Sequence, residues 1–197
     1  MRKIEREPQG SGKFCPGQDL VAAGIIAKSG VKAAVKLGRG TLQLHFTEDF
    51  ICEIEKRTEE DADLTPELLK EYGATEWEYV DQGGIFEALW NLSGAYEQGF
   101  HADLLKFPVR QEIIEVCECF DLNPYRLRSG NCYIAAADHG YDLVRALSEK
   151  GITASVIGKI EKGIARKIEG PAGTGFLSRP EPDEIEKLPE AAGKASI

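Results

Sequence analysis

Three short segments carry residue types suited to holding an anion. The first is Asp81-Gln82-Gly83-Gly84, just ahead of the apolar stretch Ile85 to Tyr96. A helix that opens after two glycines exposes unpaired backbone N–H groups, and the missing Cβ atoms let a ligand come close. Paired glycines serve close helix packing equally well, so both roles stand. Asp81 beside them would select against strong anions by like-charge repulsion. The second segment is Arg128-Ser129-Gly130-Asn131, ahead of an expected strand. Its small polar residues can present N–H and hydroxyl donors to a ligand, and they form turns as readily. The third is Ala27-Lys28-Ser29-Gly30, where Lys28 offers an ammonium group to an anion or simply to water. The candidate ligand-binding residues are therefore Asp81, Gly83, Gly84, Ser129, Gly130, Asn131, Lys28, Ser29 and Gly30. No catalytic residue stands out.

Other chemistries fail on spacing. Gly10-Ser11-Gly12-Lys13 invites comparison with a phosphate loop, but no strand precedes it and Phe14 stands where the magnesium-binding Ser or Thr belongs. Cys117 and Cys119 are two apart on an expected helix and point to different faces. His45, His101 and His139 lie at no ligand spacing to one another or to a cysteine, so no metal or other cofactor is expected. No Gly-x-Ser-x-Gly elbow is present. Glu112, Glu115 and Glu118 read as a solvated helix face.

The chain has 197 residues, enough for one domain that buries about 70% of its unfolded surface. Its net charge of −9 and scattered lysines and arginines argue against a nucleic-acid partner. Five cysteines without a disulfide-type spacing fit a reducing, cytoplasmic setting. The polar opening MRKIEREPQG lacks a signal-peptide core, and no apolar run reaches the roughly 18 residues of a membrane span.

The elements that must place these segments follow from periodicity. Residues 1–13 read as a mobile arm. An apolar run over 18–26 predicts a strand, and 31–37 a helix. Residues 41–46 (TLQLHF) alternate like a strand. Thr47 caps a helix over 48–57, an acidic linker covers 59–63, and Thr65-Pro66 opens another helix that Gly73 ends. Further elements are a helix over 85–96, a strand at 100–104, a helix from Pro108 to Phe120, and a strand over 131–137. A helix follows over 140–150, with Asp138 a possible cap, then a strand over 152–160. Residues 164–168 are expected to pair back onto that strand, 170–175 to form a flexible loop, and 181–197 a polar tail. The alternation predicts a layered α/β or α+β domain over 14–180.

Two blocks, GGIFEALW (83–90) and FPVRQEIIEVCECFDLNPYRL (107–127), in that order and spacing, carry a resemblance. They resemble the carboxy-terminal domain of proteins related to aminoimidazole ribonucleotide (AIR) synthetase. That family includes the hydrogenase maturation factor that dehydrates a carbamoylated thiol. The resemblance covers about 14–180 and implies an α/β (α+β) fold, an AIR synthase C-terminal-domain-like mixed sheet with helices packed on one face, and a helix or loop rather than a strand over 41–46. In the family a ferredoxin-like amino-terminal domain supplies ATP-binding machinery and the dimer; residues 1–79 offer no candidate for it. The family's His-Asp-x-Thr-x-Gly-Gly reads Glu78-Tyr79-Val80-Asp81-Gln82-Gly83-Gly84 here, which keeps the glycines and loses the rest. The maturation factor's terminal cysteine is replaced by the ending Lys194-Ala195-Ser196-Ile197. The expectation is a stand-alone, non-catalytic domain that binds a partner or small ligand through a remodelled cleft. The alternatives are a subunit of a split ATP-dependent enzyme with its nucleotide domain on another chain, or a structural subunit that forms a homodimer through its exposed sheet.

Overall fold

The computed structural model describes residues 6–59 and 63–188. Seven strands form one sheet: β1 (Asp19–Ala23), β2 (Ala74–Tyr79), β3 (Gly99–Asp103), β4 (Tyr133–Ala137), β5 (Ala154–Glu161), β6 (Arg166–Gly170) and β7 (Gly173–Phe176). Their order is β2-β4-β1-β5-β3-β6-β7. Every neighbouring pair is antiparallel except β3 and β6, so the sheet is mixed. The helices are α1 (Lys28–Leu42), α2 (Glu48–Glu59), α3 (Pro66–Glu71), α4 (Gly84–Tyr96), α5 (Gln111–Cys119) and α6 (Gly140–Glu149).

Alternation along the strands decides which face each side chain covers. Leu20, Ala22, Ile134, Ala136, Phe100 and Ile157 point into the main core beneath α1, α2, α4 and α5. Val21, Ala23, Ala135 and Ala137 point the other way, where α3 and α6 add a smaller cover with Leu69, Leu143 and Leu147. β1 is buried along its whole length, which is why it reads as a continuous apolar run rather than an alternating one. Its Asp19 is buried but not unsatisfied. One carboxylate oxygen accepts the Gly140 N–H at 3.0 Å, and the other takes Lys159 Nζ at 2.7 Å. The mixed α/β architecture with its main helical layer on one face is the one the sequence predicts.

Several local expectations need correction. Residues 41–46 are the end of α1 and a turn, the helix or loop that the resemblance implies rather than the strand that their alternation suggests. The strand β2 has no counterpart in the sequence reading, because ATEWEY interrupts its apolar residues with two glutamates. One of them, Glu76, is fully buried. α5 starts at Gln111, three residues after Pro108. Asp138 does not cap α6; its carboxylate pairs with Lys13 at 2.6 Å, while Asp19 takes the Gly140 amide. Residues 166–170 pair with β3 and β7, not with β5, since β5 already has β1 and β3 on its two edges. Residues 170–173 form a tight hairpin between β6 and β7 rather than a loose loop.

The arm and tail readings also change. Residues 6–13 lie along the outer edge of β2. Glu76 holds them there. Its carboxylate accepts the amides of Gln9 at 2.8 Å, Gly10 at 3.2 Å and Gly12 at 3.1 Å, and Arg6 pairs with it at 3.5 Å. The glycine-rich segment does cradle an anion, but the anion is the chain's own carboxylate. At the other end, Leu177, Asp183, Glu184 and Leu188 are buried, and Glu184–Lys187 forms a 3₁₀ turn. The remaining residues of the expected arm (1–5), acidic linker (60–62) and tail (189–197) lie outside the described residues.

Candidate functional site

The three anion-type segments converge at one end of the strands β2, β4 and β1. Val80 follows β2 and donates its N–H to the Cys132 carbonyl at 2.8 Å. Gly130 N–H reaches the Val80 carbonyl at 3.2 Å, and Asn131 N–H reaches the Tyr79 hydroxyl at 3.1 Å. On the other side, the segment 128–129 caps α1. Ser29 N–H donates to the Ser129 carbonyl and Gly30 N–H to the Arg128 carbonyl, both at 2.9 Å. Ser129 Oγ accepts the Ala27 N–H at 2.9 Å. Ala27 itself sits in the left-handed region at φ 62 and has no side chain to cap with, so the neighbouring segment supplies the acceptors that the helix start requires. Residues 28–30, 79–84 and 128–131 thus form one stitched ridge.

The ridge uses many of its donors internally. Gly84 N–H is taken by the Asp81 carbonyl at 3.1 Å. Gly83 N–H, at the start of α4, donates to Asp183 Oδ2 at 3.1 Å. Asp183 also accepts from Arg128 Nε at 3.3 Å. An acidic side chain from the segment after β7 therefore fills the place where a helix start would receive an anion. Asp81 is exposed at the rim. Glu78 points the other way and pairs with Arg6. Gly84 is held at φ 65, and a Cβ there would lie 2.6 Å from the Tyr125 carbonyl oxygen. The loop Pro124–Arg126 can approach α4 this closely only because residue 84 has no side chain.

Electrostatics sharpen the picture. Glu87, one turn into α4, has its carboxyl pushed up by burial and further by the Asp183 charge, while a hydrogen bond from Asn91 pulls it back. Cys132, next to Asn131, is fully buried, and burial pushes its thiol up to about 12. It is not a nucleophile at neutral pH. Among the described residues no group of His, Cys, Asp and Glu is arranged to hold a metal ion.

Beside the ridge lies a cleft of about 280 Å³ lined by Lys28 and Asn131 together with Arg110 and Lys150. Two of these, Lys28 and Asn131, were legible in sequence. Arg110 and Lys150 were not, since each is a single cation at a helix end with no local motif. Asp183 was missed because it falls in a segment that looks polar. The signal available there was the trio Leu177, Ile185 and Leu188, which marks a segment packed on the core rather than a solvated tail.

No protein-family model matches the chain, and no curated protein matches it. Solved structures do match in fold. E. coli HypE, a hydrogenase maturation protein, superposes with a TM-score of 0.68 at 16% identity over 91% of this chain. A HypE–HypF complex gives 0.63 at 21% identity over 85%. Thiamine-monophosphate kinase from Stenotrophomonas maltophilia K279a gives 0.63 at 15% identity over 87%. At these identities the likeness is one of fold. The chain spans about half of each of those proteins, 54–55% of their length.

Proposed function

We propose that the chain is a non-catalytic binding lobe, related to the carboxy-terminal domain of AIR synthetase-type proteins, that engages a small ligand or partner through a remodelled cleft. One observation carries this reading. The amide at Gly83 is already occupied by Asp183, which Arg128 helps to hold. A phosphate could reach that amide only by displacing a buried carboxylate that already serves both the amide and Arg128, an exchange that leaves the carboxylate unpaired. Ligand recognition then falls to the cleft beside the ridge: Ser29, Gly30, Ser129 and Gly130 spend hydrogen-bonding groups holding the ridge together, Lys28 and Asn131 line the cleft, and Asp81 at the exposed rim turns strong anions away from the glycines.

A second reading has its own support. The fold corresponds to about half of HypE and of the thiamine-monophosphate kinase, and HypE is known in a complex with HypF. The lobe would then work with another chain that supplies a nucleotide-binding domain, or with a second copy of itself. Affinity recovery of the tagged chain from native extract, followed by mass spectrometry and an ATP-turnover assay, separates these. The binding-lobe reading expects no ATP hydrolysis by the chain, alone or with recovered partners. Hydrolysis that appears on mixing with a recovered chain favours the split enzyme. Turnover by the purified chain that is lost in Gly84→Ala would refute the non-catalytic reading.

A further inference from the structure

We infer, resting on the binding-lobe reading, that the cleft between the starts of α1 and α5 and the end of α6 binds a small multivalent anion carrying phosphate or carboxylate groups. Its volume of about 280 Å³ lies just below the usual ligand-pocket range of roughly 300–1,000 Å³, which suits a small ligand. Three cations from distant parts of the sequence, Lys28, Arg110 and Lys150, line it, and no carboxylate of the described residues does. Acidic side chains outnumber basic ones by 33 to 24 in this protein, so a wall with three cations and no acid reverses the local field.

Lys28 and Asn131 have interactions of their own, so recognition is assigned to the other two cations. Arg110 immediately precedes α5 and makes no side-chain cap there. Its contact with Glu112 is long, at 3.9 Å. A guanidinium in that state can turn its planar fork onto a phosphate or carboxylate. Lys150 follows α6, is exposed, and adds a point charge to the cleft lining. Lys28 is only 8% exposed and adds a third positive charge to the lining. Ile25 and Leu64 give the cleft an apolar part, which suits a ligand with a short neutral body. The amides at Gly83 and over residues 9–12 are already taken by Asp183 and Glu76, whereas in this cleft an external anion on Arg110 would compete only with that residue's long contact to Glu112.

The test is calorimetry on the full chain with inorganic pyrophosphate and with citrate at low ionic strength. The variants are Arg110→Gln with Lys150→Gln, and Arg145→Gln with Lys162→Gln as a charge-matched control at two exposed positions outside the cleft. The expected result is one-to-one binding of at least one probe, weakened about tenfold or more in the double variant and within about twofold of wild type in the control. Lys150→Gln alone, at an exposed position, gives the same comparison if the double variant unfolds. Equal weakening in control and double variant would mean diffuse attraction and would overturn the assignment. Binding unchanged in the double variant would also overturn it while leaving the binding-lobe reading in place, since the lobe would still hold a ligand. Failure of both probes to bind wild type would overturn the assignment too, and partner recovery would then judge the broader reading on its own.

Discussion

Replacing Glu76 by Gln tests whether a buried carboxylate holds the leading segment to the sheet. Glu76 is fully buried. One of its oxygens accepts the Gln9 amide, and the other accepts the amides of Gly10 and Gly12. A glutamine has only one acceptor oxygen. If that oxygen faces Gly10 and Gly12, its NH2 group faces the Gln9 N–H, donor against donor; the reverse orientation loses two bonds. The best case therefore costs one charge-assisted hydrogen bond, about 1.5–3 kcal/mol, and takes away the charge opposite Arg6. Removing one partner of a buried ion pair costs about 3–5 kcal/mol, so we expect a loss of about 2–4 kcal/mol. For a chain of this size that lowers the thermal midpoint by roughly 5–15 °C. Hydrogen exchange should show the amides of Gln9, Gly10 and Gly12 losing protection while β1 and β4 keep theirs. Tyr96 supplies an independent readout. Burial first, and the Glu76 charge second, push its hydroxyl up to about 12. In Glu76→Gln it should titrate lower, yet stay above the ordinary value because burial persists. A variant within about 0.5 kcal/mol of wild type with all three amides still protected would refute the reasoning.

Three further outcomes follow from the same geometry. Gly84→Ala should cost at least about 2 kcal/mol by urea denaturation, from a left-handed backbone and the collision with the Tyr125 carbonyl. Glu87 has a folded-state pKa above its unfolded value, so its contribution to stability is fully present below the unfolded pKa and is lost as pH rises through the folded one. Glu87→Gln should therefore gain on wild type as pH rises from about 4 to about 7, and an advantage that shrinks over that range would contradict the shift. Cys15 and Cys52 are exposed, whereas Cys117 and Cys132 are buried with thiols pushed up to about 12. A thiol reagent at neutral pH should label the first pair quickly and the second only on unfolding, which mass spectrometry of the labelled peptides would check.

Much of this fold was legible because periodicity and caps agree. Thr65 does cap α3, accepting the Leu68 amide at 3.3 Å, and Asn123 does start the turn after α5. The resemblance carried by GGIFEALW and FPVRQEIIEVCECFDLNPYRL pointed to the same layered architecture. What escaped were features decided by partners far away in sequence. Glu76 marks β2 as polar until its three amide donors, 64 to 67 residues earlier, are known. Asp183 meets Gly83 across 100 residues. The placement of β6 beside β3 depends on which strand edges are still open, and no local pattern records that. Within the candidate site, the motif-bearing segments were found and do meet, while the cations Arg110 and Lys150 belong to no motif at all.

The position of β1 in the sheet shapes how this chain can be made. Its two neighbours are β4 and β5, with Asp19 opposite Ala137 on one side and Lys159 on the other. As the polypeptide leaves the ribosome, the apolar segment Leu20–Ala23 must wait for well over a hundred further residues before either edge can be satisfied. Pairings so distant close slowly, because the intervening loop must be ordered first. Until then the segment is open to wrong contacts, so the centre of the sheet can close only after β4 and β5 have emerged.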